Sequence, residues 1–280
     1  MGRIVFLDVD GTLIDYEGHC PDSARRAVEL ARAAGNRVYL CTGCSKAELG
    51  ERDLPEVDGL IGANGGYVED AGQVVLHRGL SADETRRIVD WCEARGLGLY
   101  LEANSGLYCN ELFVEQAPEV MRRYAMGKGA SEVEAAEASD NFVSIMQRVS
   151  GEGLYRDDVN KISFILSSYQ DHLDSKAEFG ELEANTWGGR GEQALFGDLG
   201  PTGITKRSAV ETLLAHLGAT RDEAIGFGDA KIDLSMFEAC GYNVAMGNGG
   251  PEIRAAADYV TGDVCENGLW DAFERLGLLE

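Results

Sequence analysis

The sequence predicts an α/β protein in which a doubly wound, mostly parallel sheet carries an inserted α+β domain. Short apolar segments alternate with amphipathic helical segments near both ends of the 280-residue chain. That alternation is lost between about residue 81 and about residue 190. We therefore expect residues 1–80 and 191–280 to form the sheet core and residues 81–190 to form the insert.

The first part of the core begins with an apolar run that precedes Asp8. Such a run predicts a strand that is buried on both faces, as in parallel sheets. Apolar residues at helical spacing predict a helix over 21–35, where Gly35 is a stop signal. The other elements predicted in this part are strands at 37–41 and 60–62 and a hairpin of 67–69 with 73–77.

The insert begins with Ser81 and Glu84, whose spacing is that of a helix-capping box. A helix is predicted from there to about Arg95, and a strand is predicted at 162–166. The regular alternation then resumes, with predicted helices at 206–217, 234–239 and 251–257 and strands at 224–227, 242–245 and 259–260. This last part completes a Rossmann-like sheet with the first.

Composition and charge exclude several classes of function. The net charge of −23 disfavours nucleic acid and anionic membranes as partners, because polyanions would be repelled. No apolar run approaches 18 residues, so no membrane span is expected. Seven scattered cysteines are typical of reduced cytosolic thiols, and Asp8 comes too early for a signal peptide. We expect a cytoplasmic protein.

Two carboxylates follow the first predicted strand, in the run Asp8-Val-Asp10-Gly11-Thr12. Side chains alternate along an extended chain, so Asp8 and Asp10 point to the same side, and Gly11 allows a sharp turn. Two carboxylates this close repel each other unless a cation joins them, so this geometry predicts a bound metal. A calcium loop also begins Asp-x-Asp, but here a strand precedes it and its twelfth position is His19 instead of glutamate.

Further polar groups follow predicted strands or begin predicted helices, where open α/β sheets bind ligands. Thr42 and Gly43 offer a hydroxyl and an N–H that suit a phosphate oxygen. Lys206 begins a helix after a glycine-rich loop, 197–203, which places an ammonium at a positive helix end. The remaining groups are the amide of Asn64, expected near a bound substrate, and the carboxylates of Asp229 and Asp233.

Each of these groups also has an ordinary structural explanation. Lys206 could be a solvated helix residue, and Asp229 or Asp233 could be a turn or N-cap residue. Asn64 is a common turn residue, and Thr42 could cap the helix that begins near Ser45. Their joint placement at the strand ends of one sheet favours a single site.

Together these residues resemble four motifs of the haloacid dehalogenase-like phosphatases: the run 8–12, Thr42-Gly43, Lys206 and Gly228-Asp229-x-x-x-Asp233. The insert between the threonine and lysine motifs is similar to the large α+β cap of the Cof-type subfamily. The stretches 64–66, 245–248 and 257–261 also resemble that subfamily. The insert matches in position and size more than in sequence.

The resemblance implies a Mg²⁺-dependent phosphatase of small phosphorylated metabolites, such as sugar phosphates or phosphorylated cofactors. Asp8 would be the nucleophile that forms an aspartyl-phosphate, and Asp10 the general acid and base. Mg²⁺ would be held by the Asp8 carboxylate, the Asp10 backbone carbonyl and Asp229. Asp233 would steady Lys206 or a ligand water, and the phosphoryl oxygens would be bound by Thr42, Gly43 and Lys206.

Two positions depart from the family pattern. Cys44 stands where arginine is common after Thr-Gly, and Ile232 stands where asparagine usually precedes the final aspartate. These departures keep open a catalytically weak sensor of a phosphometabolite, and a phosphomutase or phosphotransferase also remains open. Cys41 and Cys44 form a C-x-x-C pair, which is either a redox pair around Thr42 or a buried strand residue with a bystander.

The resemblance also implies that the cap selects the substrate, because a cap closes over the site and contacts the leaving group. The candidate contacts in the insert are polar or aromatic: Tyr100, Glu102, Asn104, Tyr108, Lys161, Trp187 and Arg190. Burial or solvation would also explain most of them. The four histidines lack zinc-site spacing.

Overall fold

The computed structural model describes residues 2–50, 52–127, 129–189 and 191–280. Its strands are β1 (Ile4–Leu7), β2 (Arg37–Cys41), β3 (Gly59–Gly62), β4 (Tyr67–Asp70), β5 (Gln73–His77), β6 (Leu99–Ala103), β7 (Leu107–Cys109), β8 (Met146–Arg148), β9 (Val159–Ile165), β10 (Leu182–Trp187), β11 (Phe196–Pro201), β12 (Ala224–Gly228), β13 (Tyr242–Ala245) and β14 (Tyr259–Val260). Its α-helices are α1 (Asp22–Ala33), α2 (Lys46–Gly50), α3 (Ala82–Ala94), α4 (Glu111–Gly127), α5 (Glu132–Ser144), α6 (Tyr169–Glu178), α7 (Lys206–Leu217), α8 (Leu234–Phe237), α9 (Pro251–Ala256) and α10 (Gly268–Arg275). Within the described ranges, none of these helices combines the length and the apolar character needed to cross a lipid bilayer.

The chain divides into two compact units. The first consists of Met1–Cys44, Arg52–His77 and Ile204–Glu280, and the second consists of Ser45–Glu51 and Arg78–Gly203. The second unit therefore includes more of the chain than the predicted insert, 81–190. Residues 191–203 join it because β11 pairs with β9 and β10, and Ser45–Glu51 joins it because α2 contacts β6.

The first unit is built on an eight-stranded sheet with the order β14-β13-β12-β1-β2-β3-β4-β5. The strands from β14 to β3 run parallel, and β4 and β5 add an antiparallel hairpin at one edge. β1 lies between β2 and β12, which come from opposite ends of the chain. Open α/β sheets bind ligands at such a reversal, outside the carboxyl ends of the strands. The predicted doubly wound, mostly parallel core is confirmed.

The helices of the first unit cover this sheet with apolar faces. The buried face of α1 consists of Ala24, Ala27, Val28 and Ala31, which follow the helical spacing that predicted the helix. Phe6 of β1 and Tyr39 of β2 pack in one cluster with Val210 and Leu213 of α7. The strands that carry the site are therefore held from within by a packed core.

The second unit contains a six-stranded sheet with the order β10-β11-β9-β6-β7-β8, in which all pairs are antiparallel except β7 with β8. α3 begins with the predicted capping box, in which Ser81 Oγ accepts from the amide of Glu84 and Glu84 accepts from the amide of Ser81. Ile88 of α3 packs in one cluster with Leu101 and Ile162 of the sheet. The unit therefore has the mixed α+β character that the sequence predicts.

The predicted glycine-rich loop at 197–203 is wrong, because Gly197 and Gly200 lie within β11. A Cβ at Gly197 would lie 2.6 Å from the ring of Phe164 on the neighbouring strand. The glycine therefore leaves room for an aromatic side chain. The connection from β11 to the helix that begins at Lys206 is the short segment 202–205.

Candidate active site

The carboxyl ends of two neighbouring strands bring together acids from opposite ends of the chain. Asp8 directly follows β1, and its amide donates to the carbonyl of Phe227 in β12 at 3.0 Å. Asp229 directly follows β12, which runs parallel to β1. Both carboxylates are buried, at 7% and 5% exposure. The structure thus places Asp8 and Asp229 at the same edge of the sheet, as predicted.

Lys206, the first residue of α7, joins two of the site's acids. Its Nζ lies 2.7 Å from Asp8 Oδ1 and 2.6 Å from Asp233 Oδ1, and its side chain is 1% exposed. The other oxygen of Asp233 accepts from the amides of Asp229 at 3.3 Å and Ala230 at 3.0 Å. Asp233 therefore holds both the ammonium and the loop that carries Asp229.

Two hydroxyl groups from the segment after β1 orient Asp229. Thr12 Oγ1 donates to Asp229 Oδ1 at 3.2 Å, and the hydroxyl of Tyr16 donates to Asp229 Oδ2. Asn248 Nδ2 donates to the carbonyl of Gly11 at 2.8 Å, which ties this segment to the last part of the chain. Hydrogen bonds to both of its oxygens therefore hold the Asp229 carboxylate in place.

Gly11 makes this close approach possible. Its φ is +86°, in the region that favours glycine. A Cβ at this position would lie 2.5 Å from Asp229 Oδ2 and 2.7 Å from the hydroxyl of Tyr16. The site therefore requires glycine both for its backbone conformation and for its small size.

We expect Gly11→Ala to destabilise the protein more than Gly18→Ala. Gly18 has nearly the same φ, +90°, but a Cβ there would meet nothing within 4 Å. Both variants force alanine into the left-handed region, at about 1–2 kcal/mol. Gly11→Ala must also displace Asp229 or Tyr16, which we expect to add about 1–3 kcal/mol. Urea unfolding of the two variants measures the difference in their stability. If both variants lose the same stability, Gly11 does not lie as close to Asp229 as the structure shows.

The site carries more negative than positive charge. Burial is the main reason that the pKa of Asp8 is raised to about 7; Lys206 lowers it, while Asp233 and Asp229 raise it. Burial also raises the pKa of Asp229. Burial disfavours the charge of Lys206, but Asp8 and Asp233 more than compensate and raise its pKa, so it remains an ammonium ion. Three carboxylates thus surround one ammonium, and a further cation would lower their mutual repulsion.

The same carboxylates fit a divalent metal ion. Asp8, Asp229 and Asp233 each offer an oxygen, and these oxygens lie within 4.8 Å of one another. Carboxylate oxygens are the ligands that hard cations such as Mg²⁺ prefer. The donor set therefore suits the metal that the sequence predicts.

Asp10 has a different set of partners. A guanidinium nitrogen of Arg52 donates to Asp10 Oδ1 at 2.8 Å, and the other terminal nitrogen lies 3.4 Å from Cys44 Sγ. That sulfur lies 3.8 Å from Asp10 Oδ2. In the described part of the chain, the three clustered carboxylates do not include Asp10, so its predicted role as a metal ligand concerns its backbone carbonyl alone.

Thr42, Gly43 and Asn64 lie at the ends of β2 and β3. The carbonyl of Thr42 accepts from the amide of Asn64 at 3.0 Å, and Thr42 Oγ1 accepts from the amide of Cys44 at 3.2 Å. Asn64 has a φ of +55°, and its Oδ1 is buried without a hydrogen-bond partner among the described residues. A Cβ on Gly43 would lie 3.1 Å from that oxygen. These residues form a second group of polar atoms at the carboxyl edge of the sheet.

The structure also decides between some of the alternatives. Ser45 caps α2, because its Oγ accepts from the amide of Glu48 at 3.3 Å, so Thr42 is not the cap. Lys206 is buried and is not a solvated helix residue. Asp233 accepts the turn amides of its own loop, but it also binds Lys206. Asp233 is therefore both a turn residue of its own loop and a partner of Lys206.

Cys41 behaves as a buried strand residue. It is fully buried in β2, and burial raises the pKa of its thiol to about 12. The thiolate is the reactive form in disulfide chemistry, so a redox pair of Cys41 with Cys44 is disfavoured. In the described part of the chain, the seven cysteines form no disulfide bond with one another.

Ile232, the second departure from the family pattern, lies outside the carboxylate cluster. Its side chain is 53% exposed, whereas the neighbouring Asp233 is completely buried. The replacement therefore adds no apolar group between the acids and Lys206.

Sequence reasoning missed two residues of the site, Tyr16 and Arg52. Nothing in the local sequence indicates that the hydroxyl of Tyr16 reaches Asp229, because that contact depends on the fold bringing residues 16 and 229 together. For Arg52 a signal existed. Cys44 stands where arginine is common in the family, and that departure could have prompted a search for another arginine nearby.

The candidate contacts in the second unit have partners of their own. Lys161 Nζ lies 3.4 Å from Glu102 Oε2, and Ser163 donates to Glu102 Oε1 at 3.1 Å. Burial raises the pKa of Glu102 to about 7, although Lys161 lowers it. Asn104 accepts from Asn160, Tyr108 lies under Arg156, Trp187 stacks on Phe196, and Tyr100 packs against Phe113. Arg190 lies outside the described residues.

Comparison with known proteins identifies related sequences along the whole chain. The sequence profile of a family described as haloacid dehalogenase-like hydrolase matches residues 5–273. The chain is 27% identical over 274 residues to a phosphoglycolate phosphatase from Methanothermobacter thermautotrophicus, with 98% of each protein covered. It is 25% identical over 288 residues to the 5-amino-6-(5-phospho-D-ribitylamino)uracil phosphatase YwtE from Bacillus subtilis, with 95% of each covered. A solved structure of a hypothetical protein from Geobacillus kaustophilus shares the fold, with a TM-score of 0.81 and 23% identity over 99% of this chain and 100% of that one.

Proposed function

The chain belongs to the haloacid dehalogenase-like hydrolases and is a phosphatase, and on this basis we propose that it is a Mg²⁺-dependent hydrolase of small phosphorylated metabolites. One observation carries the proposal. A buried carboxylate, Asp8, contacts the ammonium of Lys206 and could share a metal with Asp229. An ammonium alone would suffice to bind phosphate, so the adjacent nucleophilic carboxylate favours an enzyme over a sensor.

In the proposed reaction, an oxygen of Asp8 attacks phosphorus and the bond from phosphorus to the leaving oxygen breaks. Asp10 gives its proton to that leaving oxygen, and the alcohol departs. Asp10 then takes a proton from water, whose oxygen attacks the aspartyl-phosphate and releases inorganic phosphate and free Asp8. Lys206, Thr42 and Gly43 bind the phosphoryl oxygens, and Asn64 borders them. Because phosphoryl transfer depends mainly on positioning and charge stabilisation, a single buried ammonium is an effective contributor.

The proposed metal ligands are the carboxylates of Asp8 and Asp229 and the backbone carbonyl of Asp10. Mg²⁺ bound there would supply positive charge that aligns the phosphate with Asp8. Asp233 remains a positioning residue, because both of its oxygens already accept from Lys206 and from two backbone amides. Thr12 and Tyr16 keep Asp229 turned toward the cluster.

The proposed substrates are sugar phosphates or phosphorylated cofactors. The two related phosphatases differ in the molecule that their names specify, phosphoglycolate in one and a phosphoribitylamino-uracil in the other. Small phosphomonoesters are common to both. We also propose a cytoplasmic location, because seven described cysteines with no disulfide among them are typical of proteins from reducing compartments.

Release of inorganic phosphate tests the proposed function. We expect the purified protein to release phosphate from members of a panel of phosphorylated sugars and cofactors in the presence of Mg²⁺, and we expect EDTA to abolish this release. The alcohol product should appear in equal amount. Alcohol without free phosphate would indicate transfer to another hydroxyl, as in a phosphotransferase, and full activity in EDTA would contradict the role of the metal.

A further inference from the structure

We propose that Arg52 is a positioning residue for Asp10 and that it determines which Asp10 oxygen exchanges the proton. The inference rests on the proposed acid–base role of Asp10. Arg52 belongs to the same compact unit as Asp10, Thr42 and Lys206. It lies outside all the motifs that the sequence singles out.

The contacts of Arg52 define one orientation of the Asp10 carboxyl group. One terminal nitrogen of Arg52 donates to Asp10 Oδ1 at 2.8 Å, and the other donates to Cys44 Sγ at 3.4 Å. The guanidinium is planar and its two donors are held in a fixed fork. Because one terminal nitrogen of Arg52 donates to Cys44, the planar geometry directs the other terminal nitrogen at Asp10.

This contact distinguishes the two Asp10 oxygens. A guanidinium has donors only, so Asp10 Oδ1 faces an N–H group and cannot carry a proton in that direction. Asp10 Oδ2 instead faces Cys44 Sγ at 3.8 Å, and because a thiol is both a weak donor and a weak acceptor, Oδ2 can carry the proton that Asp10 transfers. Rotation of the carboxyl group would exchange the oxygens, and Arg52 opposes that rotation. Proton transfer is faster when the oxygen that carries the proton is held in a fixed position relative to the leaving group.

Arg52 also stabilises the ionised form of Asp10 that follows proton transfer to the leaving group. When Asp10 gives up its proton it becomes a carboxylate, and the adjacent guanidinium lowers the energy of that charge. The same ion pair is present when Asp10 accepts a proton from water in the second half of the reaction. The Arg52 side chain is 28% exposed and the Asp10 side chain 49% exposed. Solvent therefore reaches the pair, so we expect its effect on folding to be small.

The dependence of the rate on the leaving group distinguishes positioning of Asp10 by Arg52 from a purely structural role of Arg52. p-Nitrophenyl phosphate and phenyl phosphate share a ring, but nitrophenolate departs readily without a proton and phenolate depends more on one. We expect Arg52→Ala to lower kcat/KM for phenyl phosphate about 10- to 100-fold. The loss for p-nitrophenyl phosphate should be several-fold smaller. kcat/KM reports the transfer to Asp8 alone, so slow hydrolysis of the aspartyl-phosphate does not affect the comparison.

Three further variants complete the experiment. Arg32→Ala removes an arginine of nearly equal exposure, 29%, that pairs with Asp58 instead, and it should leave the ratio of the two kcat/KM values at the wild-type value. Arg52→Lys keeps a cation but loses the fork, so its ratio should lie between those of wild type and Arg52→Ala. Asp10→Asn should change the ratio most.

Each result has one meaning. If Asp10→Asn changes the ratio but Arg52→Ala lowers both substrates equally, the inference about Arg52 is overturned and the role of Asp10 stands. If Asp10→Asn leaves the ratio unchanged, the proposed acid role of Asp10 is wrong and the inference falls with it. A thermal unfolding scan of Arg52→Ala, expected to match Arg32→Ala, checks that both variants are folded.

Discussion

Asp8→Asn is expected to abolish turnover, with kcat at least about 10⁴-fold below that of the wild type. The amide cannot attack phosphorus as a carboxylate does, so the proposed covalent step is lost. Asparagine keeps the shape of aspartate, and its oxygen can still accept from Lys206. The variant therefore removes the chemistry while leaving the surroundings of residue 8 in place.

Loss of activity in Asp8→Asn should not come from unfolding. Lys206 retains Asp233 at 2.6 Å, and the crowded cluster loses one negative charge. We expect the free energy of unfolding to stay within about 1 kcal/mol of the wild-type value, since the buried ammonium keeps a partner. Asp140→Asn, which alters an exposed acid in the second unit, is the matched control and should keep full activity.

The covalent step itself can be followed with a ³²P-labelled substrate and acid quenching. Wild-type protein should retain label during turnover, and Asp8→Asn should retain none. Turnover by Asp8→Asn at more than a trace level, after exclusion of wild-type contamination, would refute Asp8 as the nucleophile.

Lys206→Met should be the most destabilising of these variants. Methionine has an unbranched side chain like that of lysine, one atom shorter, and it leaves Asp8 and Asp233 buried without their common ammonium. Removing one partner from a buried ion pair costs about 3–5 kcal/mol. Loss of the charge proposed to bind the phosphoryl group should also lower kcat/KM by about 10²- to 10³-fold.

The destabilisation by Lys206→Met should depend on pH. In the folded protein the pKa of Asp8 is already raised to about 7 from a usual value of 3.8. Between these two pKa values the folded protein holds a proton on Asp8 that the unfolded protein has lost. The stability of the folded protein therefore falls as pH rises through this interval. Removing Lys206 raises the pKa of folded Asp8 further. We expect the loss of stability in the variant to be larger at pH 8 than at pH 5.

Urea unfolding at the two pH values measures this effect, and Arg207→Met is the control. Arg207 is the next residue of the same helix, is half exposed and pairs with Glu211 and Glu238 at the surface. Its replacement should cost no more than about 1 kcal/mol, as is usual for exposed pairs. If both variants lose the same stability at both pH values, Lys206 does not hold a buried acid pair.

Much of the fold could be predicted from local sequence. The helix at 206–217 and the strands at 242–245 and 259–260 have the predicted bounds, because each combines an apolar pattern with clear end signals. The errors fall where the pattern is ambiguous. Gly197 and Gly200 suggest a loop, but both lie in β11, and at Gly197 a Cβ would lie 2.6 Å from the ring of Phe164 on the neighbouring strand.

For the candidate site, the sequence by itself determined which residue types stand at the ends of the strands. Parallel strands align their carboxyl ends, so Asp8, Asp229 and Lys206 could be expected at one edge from strand and helix boundaries alone. The tertiary structure shows that Lys206, one of the two expected partners of Asp233, is bound by it. Only the tertiary structure decided that Tyr16 reaches Asp229 and that Arg52 contacts Asp10. The physical reason is that strand periodicity and end signals are properties of neighbouring residues. A contact between residues 16 and 229 exists only after the whole sheet has formed.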